Sequence, residues 1–162
     1  MNIKPYAVII LDRDGIINYD SPHYIKSVEE WHPIPGAIKA ISQWSTSGYK
    51  IAIASNQSGI GKGLMTQKTV DSIHAKLSHE INKAGGSIDY ITYCPHAPHE
   101  RCECRKPNTK MISTILRHFQ IEGHQACFIG DKWSDRMTAH NSDLHFFYIA
   151  SNQAHSLEFI NY

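Results

Sequence analysis

Tyr6-Ala-Val-Ile-Ile-Leu-Asp-Arg-Asp-Gly15 is the stretch that decides the fold. Its apolar part is short, unbroken and closed by a charged residue, so it reads as a strand buried inside a sheet. The same pattern recurs downstream. Tyr49-Lys-Ile-Ala-Ile-Ala54 ends at Ser55-Asn56, residues 88–93 lead into a cysteine-rich loop, residues 125–129 end at Gly130-Asp131, and residues 144–149 form a fifth run. Helical spacing falls between them. Ala37, Ile38, Ile41 and Trp44 share one face. Thr66 is a plausible N-cap for Val70, Ile73, Leu77 and Ile81, and Met111, Ile112, Ile115, Leu116 and Phe119 trace another stripe. Strands alternating with helices predict an α/β fold: a central, mostly parallel sheet with helices on both faces. With no linker, repeat or low-complexity tract, residues 1–162 are expected to form one domain.

In such sheets the ligand sits beyond the carboxyl ends of the strands. Asp12-Arg13-Asp14, Ser55-Asn56-Gln57 and Gly130-Asp131 each follow a strand, so they should converge. Asp12 and Asp14, two apart, can both face one pocket, and Gly15 permits the tight turn after them. Two close carboxylates repel unless a divalent cation offsets their charge. Magnesium suits that place, because it prefers oxygen ligands and shares them with substrate phosphate. An aspartate beside it can attack phosphorus, and its neighbour can move the proton. Ser55 and Asn56 supply donors for phosphate oxygens. Lys106, held extended by Pro107, can neutralise the transferring group. Asp131 fits as a third metal ligand, with Asp135 able to orient Lys132 or metal-bound water.

Cys94-Pro-His96 and Cys102-Glu-Cys104 place three thiols and an imidazole within eleven residues. That set fits a closed, structural zinc site, with His99 as the alternative fourth ligand. The fourth cysteine, Cys127, falls in a buried strand and reads as core. Composition excludes other classes. Hydrophobic residues are 41% and charged residues 19%, and 16 basic against 15 acidic side chains give +1, unlike a polyanion binder working through overall charge. No apolar run is long enough to span a bilayer, and the start at Met1 shows no signal-peptide core, so the expected compartment is the cytoplasm.

Leu11-Asp-Arg-Asp-Gly15, Ser55-Asn-Gln-Ser-Gly-Ile-Gly61, Arg105-Lys-Pro107 and Gly130-Asp-Lys132 with Asp135 resemble the four ordered motifs of the haloacid dehalogenase phosphatases. Within that superfamily the chain is most similar to the D-glycero-D-manno-heptose 1,7-bisphosphate phosphatases, and also to histidinol-phosphate phosphatase domains. The resemblance implies a Rossmann-like fold without a large cap domain and magnesium-dependent hydrolysis through an aspartyl phosphate. It implies Asp12 as nucleophile, Asp14 as general acid/base, Ser55 and Lys106 as phosphate ligands, and Asp12, Asp131 and the backbone carbonyl of Asp14 on magnesium. The implied reaction removes the 7-phosphate in making nucleotide-activated heptose for surface glycan. Substrate contacts are expected from Asn18, Asp20, Asn56, Gln57, Ser58 and Lys132, with Arg105 on the second phosphate. Histidinol phosphate is the alternative substrate, and a zinc-stabilised nucleic-acid module or nucleotide-end phosphatase the more distant one. The expected partner is thus a small phosphorylated metabolite, a sugar bisphosphate, met by a monomer.

Overall fold

The computed structural model describes residues 4–153, so the ends of the expected single domain lie outside the described residues. Five strands form one parallel sheet: β1 (Val8–Leu11), β2 (Lys50–Asn56), β3 (Tyr90–Cys94), β4 (Ala126–Gly130) and β5 (His145–Tyr148), in the order β3-β2-β1-β4-β5. Four α-helices connect them: α1 (Ala37–Thr46), α2 (Gln67–Lys83), α3 (Lys110–Phe119) and α4 (Trp133–Asn141). The two-residue period of a strand sends alternate side chains of β1 to opposite faces. Ile9 and Leu11 join Ile41, Trp44, Ile73 and Leu77 of α1 and α2 in one core, whereas Val8 and Ile10 join Met111, Ile112, Ile115 and Ala139 of α3 and α4 in the other. A strand buried on both sides has no polar face to show, which is why its sequence reads as an unbroken apolar run.

β1 is the point where strand order reverses, with β2 and β3 on one side and β4 and β5 on the other. Crevices at such points open above the carboxyl ends of the strands. Register brings the ends together: Leu11 lies beside Ile53 and Ile129. The long segment 12–36 carries only isolated bridges, Asp14 to Asn18 and Asn18 to Pro33, so no cap domain stands between β1 and α1.

One element had no legible stripe. Along α4 only Asp135, Thr138 and Ala139 are buried, so apolar periodicity does not reveal it. The chain leaves α4 through Asp143 at φ 56°, a left-handed position that glycine usually occupies and a short polar side chain tolerates.

Candidate active site and metal centres

The end of β1 presents Asp12 and the end of β4 presents Asp131, with Asp135 one helical turn farther on. Carboxylate oxygens of the three lie within 4.8 Å of one another. Gly15 makes this approach possible. Its φ is +89°, and a Cβ there would meet Asp131 Oδ2 at 2.6 Å. Lys106, only 3% exposed, enters from the loop before α3. Its Nζ lies 3.0 Å from Asp12 Oδ1 and 2.7 Å from Asp135 Oδ1, and donates to the Ala54 carbonyl at 2.9 Å. Burial alone would discharge this lysine, but Asp12 and Asp135 raise its pKa and keep it cationic. Burial pushes Asp12 up to about 7 despite Lys106, with Asp135 adding to the rise. Asp131 is raised too, mainly by burial, and its Oδ1 is buried without a hydrogen-bond partner among the described residues. Crowded carboxylates that resist ionisation, one with an orphaned oxygen, suit a divalent cation with oxygen preference. Asp135, expected only to orient Lys132 or water, is part of this cluster. Its Oδ2 also accepts the backbone N–H groups of Asp131 and Lys132, at 3.2 and 3.0 Å.

The Asp14 carboxylate stands apart from the cluster. Its counter-charge is Arg13, whose side chain is sealed from solvent. Arg13 Nε donates to Asp14 Oδ1 at 2.9 Å and Nη2 donates to Oδ2 at 3.0 Å. Asn18 Nδ2 and Gln57 Nε2 donate to the same carboxylate at 2.8 and 2.9 Å. Burial works against ionisation, yet Arg13 and these hydrogen bonds hold the Asp14 pKa below its ordinary value. Behind Arg13, Nη1 lies 3.4 Å from His74 Nε2 on α2. Neither Arg13 nor His74 was singled out in the sequence. The available sign was a charged residue between two aspartates at the exit of a buried strand, where only close partners make it tolerable.

Three expected substrate contacts have hydrogen-bond partners within the protein. Asn56 uses its Oδ1 to accept from Lys106 N–H at 3.0 Å and its Nδ2 to donate to the Lys106 carbonyl at 3.2 Å, clamping the lysine's backbone. Gln57 is buried, bridging Asp14, Arg13 and the Ser55 hydroxyl, the last at 2.7 Å. Asn18 is buried against Asp14 and the Tyr19 carbonyl. Chain order alone does not show which strand end these amides meet. Asp20 accepts from Lys132 Nζ at 3.0 Å, so these two tether each other at the rim. Ser55 lies buried at the end of β2, and Ser58 is buried in the segment that follows it. Arg105 keeps Nη1 buried and without a partner among the described residues, as a guanidinium awaiting an anion would.

The second centre gathers Cys94, His96, Cys102 and Cys104 within 4.8 Å, and His99 is outside it. The sulfurs are 3.5 Å (Cys94–Cys102), 3.2 Å (Cys94–Cys104) and 3.6 Å (Cys102–Cys104) apart, and His96 Nδ1 is 3.2 Å from Cys104 Sγ. A tetrahedral zinc with bonds of about 2.3 Å spaces sulfurs by roughly 3.8 Å, close to this set and far from a disulfide. All four cysteines are free thiols, Cys127 lying in the core as expected. The loop is seated on the segment after β2: Gly61 N–H donates to the Pro95 carbonyl at 2.8 Å. A Cβ on Gly61 would meet Ala97 N at 2.4 Å, so no larger residue allows that approach.

With this geometry in view, known proteins agree. The family model for polynucleotide kinase 3 phosphatase matches residues 8–158. A D-glycero-beta-D-manno-heptose-1,7-bisphosphate 7-phosphatase of Pseudomonas putida is 48% identical over 128 residues, 79% of this chain and 73% of that protein. The enzyme of the same name from Pseudomonas aeruginosa is 41% identical over 137 residues, covering 85% of this chain and 77% of its own. Among solved structures, the D,D-heptose 1,7-bisphosphate phosphatase of B. bronchiseptica, complexed with magnesium and phosphate, superposes with a TM-score of 0.85 at 35% identity, covering 87% of this chain and 79% of that one.

Proposed function

Because the chain belongs to the family of the D-glycero-beta-D-manno-heptose-1,7-bisphosphate 7-phosphatases, with a haloacid dehalogenase phosphatase fold, we propose that it is a magnesium-dependent phosphatase that removes the 7-phosphate of heptose 1,7-bisphosphate. The observation that carries this reading is the cluster of Asp12, Asp131 and Asp135, with the buried Lys106 ammonium paired to Asp12 and Asp135. Asp12, Asp131 and the Asp14 carbonyl hold magnesium, with Asp135 beside them. The bound cation supplies charge neutralisation between nucleophile and phosphate. Asp12 attacks phosphorus and the sugar oxygen leaves, taking a proton from Asp14. Water then splits the aspartyl phosphate, giving its proton to Asp14 and returning Asp12 with inorganic phosphate. Ionised at rest, Asp14 is ready for that second half, while an arriving phosphate dianion beside it favours the protonated form needed in the first. Ser55 and Lys106 hold the phosphoryl oxygens, and Arg105 takes the other phosphate as a bidentate partner. Ser58, Lys132 and Asp20 line the rim.

Cys94, His96, Cys102 and Cys104 bind a structural zinc, which leaves no coordination position for catalysis. Residues 1–162 act as one domain and a monomer in the cytoplasm, in the supply of nucleotide-activated heptose for surface glycan. No helix among the described residues is long and apolar enough to cross a membrane.

Phosphate release from heptose 1,7-bisphosphate and from histidinol phosphate, each with magnesium and with EDTA, tests the proposal. Faster magnesium-dependent release from the bisphosphate, abolished by Asp12→Asn, is expected. Preference for histidinol phosphate would overturn the substrate, and activity in Asp12→Asn the mechanism.

A further inference from the structure

Four large hydrophobic side chains are exposed among the described residues, and the two most exposed, Trp133 at 69% and Tyr148 at 64%, line one pocket. It lies between β5 and the start of α4, measures about 480 Å³, and is completed by Phe146, Arg136, Lys132 and Asp131. The fold places these residues for simple reasons. Phe146 and Tyr148 are two apart on β5 and so share a face, and Trp133 and Arg136 are three apart on α4 and so stand on one side of the helix. No ring contact is made by Trp133 or Tyr148, and no ion pair or hydrogen bond by the Arg136 side chain, among the described residues. The pocket adjoins the catalytic centre, because Asp131 belongs to both. Trp133 is two residues from Asp131, hence within about 7 Å along the chain.

Aromatic faces beside Arg136 and Lys132, next to a phosphate site, suit a flat ring carried by a phosphate ester. A sugar can lay a C–H face on such side chains, but only a flat π system stacks on them face to face. We propose that this pocket is a subsite for a planar aromatic ring, sized for a nucleobase, which makes nucleoside monophosphates a second class of ligand for this centre. The ring stacks on Trp133 or Tyr148 while Arg136 faces it from α4. That such ligands are also hydrolysed rests on the phosphatase reading above, by the same two steps.

AMP and ribose 5-phosphate share a phosphate and a sugar and differ by the base, so their comparison isolates the ring. Trp31 and Trp44 are buried, so quenching of tryptophan fluorescence reports on Trp133. In the Asp12→Asn variant with magnesium, AMP is expected to quench saturably and ribose 5-phosphate not. Tyr148→Ala is expected to weaken AMP about tenfold, the scale of one stacked base. In the wild type the ratio of AMP to ribose 5-phosphate turnover should fall about tenfold in Trp133→Ala, with heptose bisphosphate turnover unchanged. Equal quenching by both ligands, or a ratio untouched by either substitution, would overturn the proposal. Saturable AMP quenching in a protein that releases phosphate from none of the three would sink the phosphatase reading and leave the ring subsite standing.

Discussion

A guanidinium closed off from water costs several kcal/mol in desolvation, and at Arg13 that cost is offset by the Asp14 carboxylate and the Gln57 carbonyl. The two-pronged contact fixes the rotamer of Asp14 as well as its charge, which an ammonium cannot do. Arg13→Lys is therefore expected to lower kcat by at least about tenfold with little change in KM, since a misplaced acid/base forfeits part of the roughly 10²–10⁴ such a group contributes. Arg13→Ala should in addition lower folding stability by about 3 kcal/mol by leaving buried partners uncompensated. Steady-state kinetics and denaturant unfolding of both variants check this. Full kcat in Arg13→Ala would mean that Asp14 needs no such clamp.

Helix α2 contributes both a core stripe and one polar residue turned inward. Val70, Ile73, Leu77 and Ile81 are buried, and so is His74 beside Arg13 and the Tyr93 ring, with Asp71 and Asp14 nearby. Burial, then the positive charge of Arg13, lowers the His74 pKa from 6.5 to about 4, against the opposing pull of Asp14 and Asp71. The unfolded chain thus binds a proton between these values that the folded protein refuses. Its contribution is nil above about pH 6.5 and becomes destabilising as pH falls toward 4, reaching about 2 kcal/mol at pH 5. His74→Gln removes that proton, so its stability should fall less between pH 7 and pH 5 than the wild type's. Urea unfolding at the two pH values measures the difference, and parallel losses would refute the assignment. The stripe of α2 was legible because its apolar residues repeat at helical spacing, whereas α4 hides behind a polar sequence in which only Asp135, Thr138 and Ala139 are buried.

Across the whole molecule, the cysteine–histidine cluster leads into the acidic cluster through Arg105 and Lys106. Cys104 is the last thiol of the cluster, and Arg105 and Lys106 follow it into the active site, Lys106 held further by the Asn56 clamp. The loop between β3 and α3 buries little apolar surface of its own, so a metal can supply the order it lacks. Stripping zinc with a strong chelator and then restoring magnesium is expected to leave kcat down more than tenfold and the melting temperature reduced. Readdition of zinc should recover both. Full activity in zinc-free protein, verified by metal analysis, would separate the loop from the chemistry.

What the sequence determined by itself was whatever is written in neighbouring residues. Unbroken apolar runs ending in Asp12, Ser55 and Asp131 specified the parallel sheet and the edge at which the site lies, and Cys94, His96, Cys102 and Cys104 specified a cluster of zinc-type donors through donor type and spacing. Tertiary structure alone decided which donor meets which acceptor. Asn18, Asn56 and Gln57 met their partners only when the ends of β1 and β2 and the Lys106 loop were brought together, and Asp135 joined the acidic cluster only when α4 was set against β4. The physical reason is range. Side-chain periodicity acts over a few residues, but a buried polar group must find its partner wherever the folded chain passes within about 3 Å, and that distance is fixed by strand order and helix packing.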